Sequence, residues 1–345
     1  FIIHLMKILI TGANGLLGHE LSTVLKDHSL ILLSHSQLDI SDFDSVNKQI
    51  DSSSPDIIIN SAAYTQVDAC ETNYDLAFAS NATGPKNLAI KCKQLGIPLI
   101  HISTDYVFEG DEKKDSPLKE DDKLGPKTVY GKTKLEGEKL VMENCDKYFI
   151  LRTAWLYGEG KNFVKTMLSL SKKHKELKVV NDQIGSPTYA RDLAKAIKEI
   201  IEKKSEKYGI YHVTNKGEVS WYEFAKKIFE IKNIEIKVNP CTSEEFPRPA
   251  PRPHYSVLSN QKWIDAGFTP MRDYEEAYFG DYSSGDGCET LNYRAVSPSF
   301  KVRFVSRTVR GEEYATPLAM NQRNDCHFNA MTFLTSFTST NVPIA

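Results

Sequence analysis

A glycine run near the start of the chain, Gly12-Ala13-Asn14-Gly15-Leu16-Leu17-Gly18, most restricts the possible folds. It follows a short apolar segment, residues 7–11, that is typical of a buried parallel strand, and it precedes a helical pattern of leucine and valine. Glycines here allow a tight turn, let a backbone approach a pyrophosphate, and let the helix pack closely on the strand. This order predicts a dinucleotide-binding unit, whereas a glycine-rich turn without a ligand is the alternative.

Four further apolar segments extend the pattern, at residues 30–33, 57–60, 97–102 and 148–151, with helical patterns between them. Apolar strands that alternate with helices are typical of a parallel sheet covered on both faces. We therefore predict an α/β protein with a Rossmann-type, doubly wound parallel sheet. The second half has helical patterns at residues 162–173, 191–203 and 220–231. It is predicted to supply a smaller, discontinuous α/β lobe that binds the substrate.

Small and polar side chains follow these predicted strands where each strand ends. Ala62, Ala63 and Tyr64 follow the third strand closely, and Thr104 follows the fourth. In an open parallel sheet, ligands bind beyond the carboxyl ends of the strands. The alanines permit close approach of a cofactor, and the Thr104 hydroxyl can hydrogen-bond a substrate carbonyl beside Tyr130.

Tyr130 and Lys134 stand four residues apart in a segment with helical character, so both side chains lie on one helix face. A free tyrosine has a pKa of about 10, and a nearby ammonium favours the phenolate. The pair suits a general acid that protonates a carbonyl oxygen while hydride arrives at the carbon. The spacing alone also arises by chance, but with Thr104 at the same crevice it predicts a ketone-reducing site.

The second predicted strand ends at Ser34-His35-Ser36, where an NAD-selective site usually carries a carboxylate for the ribose hydroxyls. No carboxylate precedes Asp39 here, which leaves room for a 2′-phosphate, although no arginine is present to bind it. NADPH is therefore the predicted cofactor, with NADH as the alternative. Asp39 and Ile40 either face the adenine, or Asp39 caps the helix that begins near Asp42.

The composition argues against several classes of protein. The 345 residues are 41% hydrophobic and 26% charged, and a net charge of −2 gives no general reason to bind nucleic acid or an anionic membrane. No apolar segment reaches the roughly 18 residues that a membrane span needs. The six cysteines lack a Cys-x-x-Cys pair, so we expect reduced thiols in a cytoplasmic protein and no metal site. Residues 1–5 precede Met6 and are interpreted as a leader, too short for a signal peptide.

Several motifs together resemble the extended short-chain dehydrogenases/reductases. They are the glycine run, Ala62-Ala63-Tyr64-Thr65, Asn81-Ala82-Thr83-Gly84, residues 103–110 and Tyr130-x-x-x-Lys134. Residues 152–158, residues 182–188 and Arg252-Pro253-x-x-Ser256-x-Leu258 are similar to segments of the dTDP-4-dehydrorhamnose reductases. The resemblance covers residues 6–280. It implies NADPH-dependent reduction of the 4-keto group of dTDP-4-dehydro-L-rhamnose to dTDP-L-rhamnose, for polysaccharide biosynthesis.

The resemblance also implies roles for single residues. Tyr130 donates the proton, Thr104 orients the ketone, and Lys134 binds the nicotinamide ribose and lowers the pKa of Tyr130. Trp155 lies against the sugar; the alternative is that it is an ordinary core residue. Arg252 contacts the phosphates of the sugar nucleotide; the alternative is that it is a solvated charge on a loop. The residues expected to bind the substrate are Thr104, Asp105, Trp155 and Arg252. The cofactor set is Gly12, Asn14, Gly15, Leu16, Leu17, Gly18, Asp39, Ile40, Ala62, Ala63, Tyr64, Tyr130 and Lys134.

The domain prediction places one reductase domain at residues 6–280. Its nucleotide-binding core lies mainly in residues 6–155 and its substrate lobe mainly in residues 156–280, with the chain crossing back. Residues 281–345 lie beyond the family pattern and are expected to form a poorly ordered extension without a part in catalysis, with one alternating strand at residues 300–305. A small appended β unit and a shifted reading frame are the alternatives. In the helix at residues 220–231, Ser220 is predicted to be the N-cap, with Glu223 completing a capping box. The apolar face of this helix, which includes Trp221, is interpreted as core. His212, in the preceding strand pattern, is interpreted as a buried core histidine.

Two alternative functions remain open at this point. One is a sugar-nucleotide epimerase or 4,6-dehydratase on the same fold, although dehydratases usually carry an Asp-Glu pair after the threonine, and Tyr106 follows Asp105 here. The other is a non-catalytic regulatory subunit similar to the beta subunit of methionine adenosyltransferase. The partner is expected to be a dTDP-sugar, with a homodimer as a candidate assembly.

Overall fold

A computed structural model describes residues 5–110, 116–278, 304–309 and 312–317. The described residues from 5 to 278 form one compact unit, and the last two segments belong to a second. The strands of the first unit are β1 Lys7–Thr11, β2 Ser29–Leu33, β3 Ile57–Asn60, β4 Leu99–Thr104, β5 Tyr148–Thr153, β6 Leu156–Tyr157, β7 Glu176–Val180, β8 Ile184–Gly185, β9 Thr188–Tyr189, β10 Gly209–His212, β11 Val219–Ser220 and β12 Lys237–Cys241.

Helices connect most of these strands. They are α1 Leu16–Val24, α2 Phe43–Ser53, α3 Val67–Cys70, α4 Tyr74–Phe78, α5 Gly84–Leu95, α6 Val129–Asn144, α7 Phe163–Ser171, α8 Ala190–Glu202, α9 Trp221–Ile231, α10 Gln261–Asp265 and α11 Tyr274–Ala277. A π-helical turn, Ala79–Thr83, joins α4 to α5, and a 3₁₀ turn, Asp105–Val107, follows β4.

A six-stranded sheet with the order β10-β5-β4-β3-β1-β2 forms the centre, and each neighbouring pair is parallel. Successive strand side chains point to opposite faces, so Ile8 and Ile10 pack under α1 and α8, while Leu9 packs with α2 and α5. Burial on both faces explains the continuous apolar strands in the sequence. The predicted doubly wound α/β class is confirmed.

The strand order reverses between β1 and β3: β2 is added on one side of β1, and the later strands are added on the other side. Loops that leave neighbouring strands at such a switch point separate and open a crevice at their carboxyl ends. The segments after β1, β3 and β5 carry the glycine run, Ala62 and Trp155 respectively, and Thr104 is the last residue of β4. The topology therefore assembles the predicted site residues at one edge of the sheet.

The second half of the chain contributes to two regions. Strand β10 and helix α8 join the central sheet and its core, whereas α7, α9 and the paired strands β7 and β12 pack around a separate apolar cluster. Helix α9 begins with the predicted capping box, in which Ser220 and Glu223 bond each other's backbone N–H groups. His212 is fully buried, as predicted.

In the second unit, strands β13 Phe304–Val309 and β14 Glu312–Pro317 form an antiparallel pair. The sequence predicted one strand at residues 300–305; β13 overlaps that prediction at Phe304 and Val305, and residues 300–303 lie outside the described residues. Strand β14 supplies a partner that the sequence did not reveal. The other residues of the predicted poorly ordered extension lie outside the described residues.

Two further findings concern the described part of the chain. None of its helices combines the length and apolar character needed to cross a membrane. Cys70, Cys92, Cys145 and Cys241 are buried free thiols.

The predicted domain end at Gly280 is testable, because the apolar clusters of the first unit use residues up to Tyr278. A chain that ends at Gly280 is expected to keep its melting temperature within about 3 °C of the full chain, equivalent to less than roughly 1 kcal/mol. Thermal unfolding followed by circular dichroism measures this. A chain that ends at Met271 is the control, since it loses buried Tyr274 and Tyr278 and is expected to unfold earlier. Equal destabilisation of both chains would contradict the boundary.

Candidate active site

A crevice of about 560 Å³ opens at the carboxyl ends of the strands. Its volume falls within the usual range for small-molecule sites. Gly15 and Leu16 line one end, and Thr104, Tyr130 and Lys134 line the floor. The glycine loop and the predicted reaction residues therefore share one continuous cavity.

The glycine loop is tightly packed against the turn that follows β3. Gly12 has a φ of +66°, and a Cβ added there would lie 2.7 Å from the backbone nitrogen of Ala62. A Cβ at Gly18 would meet the carbonyl oxygen of Gly12. Side chains are thus excluded from both positions, and the loop backbone remains close to the sheet.

Helix α1 starts directly after this loop, at Leu16. Gly15, at its N-cap, has no side chain to bond the first N–H groups, and the first turn has no acidic residue. The positive end of the helix therefore faces the crevice without an internal anion. This arrangement fits a phosphate group.

Buried polar side chains position the turn that follows β3. Asn60 Oδ1 accepts hydrogen bonds from Thr11 Oγ1 at 2.7 Å and from the Ala62 N–H at 3.2 Å. Asn81, in the π-helical turn, bonds both the N–H and the carbonyl of Tyr64, at 2.8 and 3.1 Å. Ala62, Ala63 and Tyr64 are therefore held in a fixed backbone path, although only Ala63 of the three lines the crevice.

The turn after β2 contains no carboxylate, lysine or arginine before Asp39. Gln37 Oε1 accepts bonds from both the N–H and the hydroxyl of Ser34. Asp39 does not cap α2, because Asp42 bonds the Asp44 N–H instead, so that alternative is wrong. Asp39 accepts bonds from Ser41, and these lower the pKa of the Asp39 carboxyl despite partial burial.

The side chain of Ile40 does not project into the crevice. It is buried in the core cluster beneath β2, where it contacts Gly84. The Ile40 carbonyl accepts a bond from Asn87 at 2.9 Å. Contact between Ile40 and an adenine stays a prediction, and it would have to be made mainly by the backbone of Ile40, because the side chain is buried.

Thr104 lies beside both Asp105 and Tyr130 at the crevice. The Thr104 hydroxyl donates to Asp105 Oδ1 at 2.9 Å, and its polar interaction with the Tyr130 phenol favours the phenolate. Tyr106 packs edge-on against Tyr130, with ring centroids 5.5 Å apart. Burial raises the pKa of Asp105 to about 6, against the effect of the Thr104 bond.

The electrostatics of Tyr130 differ from the sequence-based expectation. Burial raises the pKa of the phenol, the interaction with Thr104 acts in the opposite direction, and the charge of Asp105 raises it further. Lys134 is not among the groups that lower it, so that predicted effect is not seen here. The phenol keeps its proton near neutral pH, which is the form that a proton donor requires.

Lys134 lies below Tyr130 on α6 and is 2% exposed. Its ammonium donates to the Ile102 carbonyl of β4 at 2.6 Å. Burial lowers the pKa of Lys134 to about 8, while the Glu138 carboxylate acts to raise it. An ammonium has three donors, so this bond leaves capacity for a ligand in the crevice.

Trp155 forms one wall of the crevice in an unusual backbone conformation. Its φ is +46°, which is unfavourable for a residue other than glycine. Its ring stacks on Trp221 with centroids 3.4 Å apart and planes inclined by 4°, and a Cβ at Gly185 would overlap it. These contacts hold the ring between α9 and β8, at the boundary of core and crevice.

Arg252 reaches the crevice from the proline-rich segment. It forms two bonds with Asp68, at 2.9 and 3.0 Å, and a third with the Ala250 carbonyl at 2.8 Å. Burial would raise the pKa of Asp68, but the guanidinium holds it below its ordinary value. Three of the five N–H donors of the guanidinium are used in these bonds, so Arg252 is oriented rather than freely solvated.

Sequence reasoning missed some residues of this site. Trp221, interpreted as core, also lines the crevice, as does exposed Lys161. Buried Gln183 lines it too, but it belongs to residues 182–188, which the sequence had already singled out through the family resemblance. Trp221 is the first residue of α9, directly after its cap, which is a position from which a side chain can face away from the core. No cluster of three or more His, Cys, Asp or Glu side chains suited to a metal occurs within residues 5–110 and 116–278.

Comparison with known proteins identifies the family. The model of the RmlD substrate binding domain family matches residues 6–279. The chain belongs to this family. It is 45% identical over 276 residues to a dTDP-4-dehydrorhamnose reductase of Mycolicibacterium smegmatis, covering 79% of this chain and 83% of that protein.

Solved structures of the same family agree with the fold described above. A dTDP-4-dehydrorhamnose reductase from Clostridium acetobutylicum is 49% identical, with a TM-score of 0.78 over 81% of this chain and 99% of that one. The Bacillus anthracis dTDP-4-dehydrorhamnose reductase, solved in complex with NADP, is 43% identical, with a TM-score of 0.76 over 79% and 96%. The family resemblance found in the sequence is therefore confirmed.

Proposed function

We propose that the protein reduces the 4-keto group of dTDP-4-dehydro-L-rhamnose to an alcohol with NADPH, in the biosynthesis of a polysaccharide sugar. The observation that carries the proposal is the meeting of Thr104, Tyr130 and Lys134 in a crevice that continues to the glycine loop. Relatives that are named dTDP-4-dehydrorhamnose reductases, one of them solved with NADP, support it.

The residues around α1 suit a dinucleotide. The backbone of Gly12 and Gly15 and the uncapped start of α1 offer N–H groups and a positive dipole to a pyrophosphate. The turn after β2 has no carboxylate at Ser34, so a 2′-phosphate meets no repulsion there. When bound, NADPH supplies the hydride.

Tyr130 supplies the proton in this proposal. Its phenol remains protonated near neutral pH and lies beside Thr104, so both groups can approach one ketone oxygen. As negative charge develops on that oxygen, Tyr130 donates its proton and Thr104 contributes a hydrogen bond. Lys134, held by the Ile102 carbonyl, presents its positive charge and remaining donors to the nicotinamide ribose.

The sugar nucleotide is held by the opposite wall. The flat face of Trp155, supported by Trp221, offers an apolar surface to the deoxysugar. Arg252 offers a guanidinium, oriented by Asp68, to the pyrophosphate. Asp105 contributes to the substrate side through its bond with Thr104.

The other functions receive less support. Tyr106 occupies the position after Asp105 and packs against Tyr130, so the Asp-Glu pair of a dehydratase is missing. A regulatory subunit has no need of an assembled Thr104, Tyr130 and Lys134 set. The homodimer, a cytoplasmic location and the division into core and substrate lobe stay predictions.

Replacement of the proton donor tests the reaction. Tyr130→Phe is expected to bind NADPH normally and to lose turnover by about 10²-fold or more, since a phenyl ring cannot donate a proton. Steady-state NADPH oxidation with the dTDP-4-keto sugar measures it. Tyr106→Phe is the matched control, because it removes a neighbouring phenol and keeps the ring contact. Near wild-type turnover in Tyr130→Phe would contradict the assignment.

Cofactor preference is tested at the turn after β2. We expect NADPH to be used at least as well as NADH, and Ser34→Asp to shift kcat/KM towards NADH, because a carboxylate repels the 2′-phosphate and binds ribose hydroxyls. Ser34→Ala serves as the control without added charge. A strong wild-type preference for NADH would show that this turn does not select the cofactor as proposed.

Substrate recognition is tested at Arg252. Arg252→Ala is expected to raise KM for the dTDP-sugar roughly 10- to 100-fold and to leave NADPH affinity unchanged, since a charge-assisted bond contributes about 1.5–3 kcal/mol. Arg248→Ala is the control, because Arg248 approaches Asp68 only to 3.9 Å and packs over Phe246. Weaker NADPH binding with an unchanged KM for the sugar would place Arg252 on the cofactor side.

A further inference from the structure

A buried cluster of charged groups lies beneath Lys134, at the contact between α6 and the sheet. Glu138 is 0% exposed and accepts bonds from Arg152 Nε at 2.9 Å and Arg152 Nη2 at 2.7 Å. The hydroxyl of Ser103 donates to the same carboxylate at 2.5 Å. Arg152 is itself 1% exposed, so this ion pair is isolated from water.

The sheet register and the helix repeat explain why these groups meet. Ser103 of β4 and Arg152 of β5 are direct partners in the parallel ladder, so their side chains leave the same face of the sheet. Helix α6 packs on that face. Glu138 follows Lys134 by four residues, so the carboxylate lies one helical turn beyond the ammonium and on the same side.

The cluster matters for Lys134 because a buried ammonium is costly without a compensating charge. The bonded partner described for Lys134 is a neutral carbonyl, that of Ile102. Glu138 acts to raise the pKa of Lys134, whereas burial lowers it to about 8. Loss of this carboxylate would therefore lower the pKa of Lys134 further and increase the neutral fraction of the lysine.

The other titratable groups around Lys134 do not replace Glu138. His101 of β4 is buried and neutral, because burial and the charge of Lys134 hold its pKa well below the ordinary value. Burial and the charge of Glu71 raise the pKa of Cys70 on α3 to about 11, so it is a neutral thiol. Burial raises the pKa of Asp105, in the 3₁₀ turn, to about 6, so this carboxyl is ionised near pH 8. Its bond is with Thr104, however, and Glu138 is the carboxylate that acts to raise the pKa of Lys134. Arg152 is positive and bound to Glu138.

We propose that Glu138 is a positioning residue for the ketone reduction: fixed by Ser103 and Arg152, it keeps Lys134 in its charged form beneath the reacting groups. This inference rests on the proposed function only for its turnover measurement. Glu138 does not contact the crevice and acts through Lys134. The ion pair thus sets the upper pH limit of the site as well as joining α6 to the sheet.

The test is the pH dependence of Glu138→Gln in the full chain. In the wild type, kcat/KM for the keto sugar and NADPH affinity are expected to fall above about pH 8, as Lys134 loses its proton. In Glu138→Gln this fall is expected to begin about one pH unit lower. Relative to the wild type, kcat/KM would then be about tenfold lower at pH 9 and nearly unchanged at pH 6.

A matched control separates this effect from general loss of stability. Asp192 forms a twofold bond with Arg272, at 2.8 Å for both contacts, in a partly buried pair far from Lys134 along the chain. Asp192→Asn is expected to lower the melting temperature without moving the pH profile. If Glu138→Gln does not fold, Glu138→Gln/Arg152→Gln removes both charges of the pair. It is expected to shift the profile in the same direction by a smaller amount, because the repulsion between Arg152 and Lys134 is lost as well.

Two outcomes overturn separate claims. An unchanged alkaline limit in a folded variant without Glu138 would contradict its proposed role. NADPH affinity is measured by fluorescence titration without any sugar, so it reports on Lys134 independently of turnover. If the wild type binds NADPH and Glu138→Gln shifts that pH dependence, but no ketone is reduced, the proposed function fails while the role of Glu138 stands.

Discussion

The buried ion pair between Glu138 and Arg152 joins helix α6 to strand β5, and the geometry of the site depends on it. Removal of one partner from such a pair typically costs about 3–5 kcal/mol, because the other charge stays buried alone. The same helix carries Tyr130 and Lys134, and the adjacent strand β4 ends at Thr104. The interaction that fixes the helix to the sheet therefore also fixes the proton donor beside the hydroxyl that orients the ketone.

A second constraint is the close contact between the turns after β1 and β3. The backbone of Ala62 leaves no room for a Cβ at Gly12, and Asn60 bonds both Thr11 at the end of β1 and Ala62 in the turn after β3. No side chain separates the glycine loop from the sheet, so a pyrophosphate can lie directly over the start of α1. The cofactor end of the crevice is built from backbone, whereas its substrate end is built from the side chains of Trp155, Trp221 and Arg252.

Local patterns were sufficient to predict much of this arrangement. Apolar segments with turn residues between them predicted the central strands, and parallel topology then required Thr104 and Tyr130 to approach one edge. Ser220 and Glu223 predicted the start of α9 through a local capping pattern. These features depend on residues close together in the chain, or on one general rule for parallel sheets.

The remaining features depend on contacts between distant segments. The pairing of Arg252 with Asp68 joins residues 184 positions apart, and the stack of Trp221 on Trp155 depends on how α9 is placed. The positive φ of Trp155 likewise has no local sequence signal. The expectation that Lys134 lowers the pKa of Tyr130 considered spacing alone, whereas burial dominates at the actual site.

The most direct measurement of the central claim follows the hydride. The protein is incubated with dTDP-4-dehydro-L-rhamnose and NADPH that carries deuterium at C4 of the nicotinamide, in its two stereochemical forms, and the product is examined by NMR. The account predicts dTDP-L-rhamnose with deuterium at C4 of the sugar from one of the two forms. NADPH binding without deuterium transfer to the sugar from either form would contradict it.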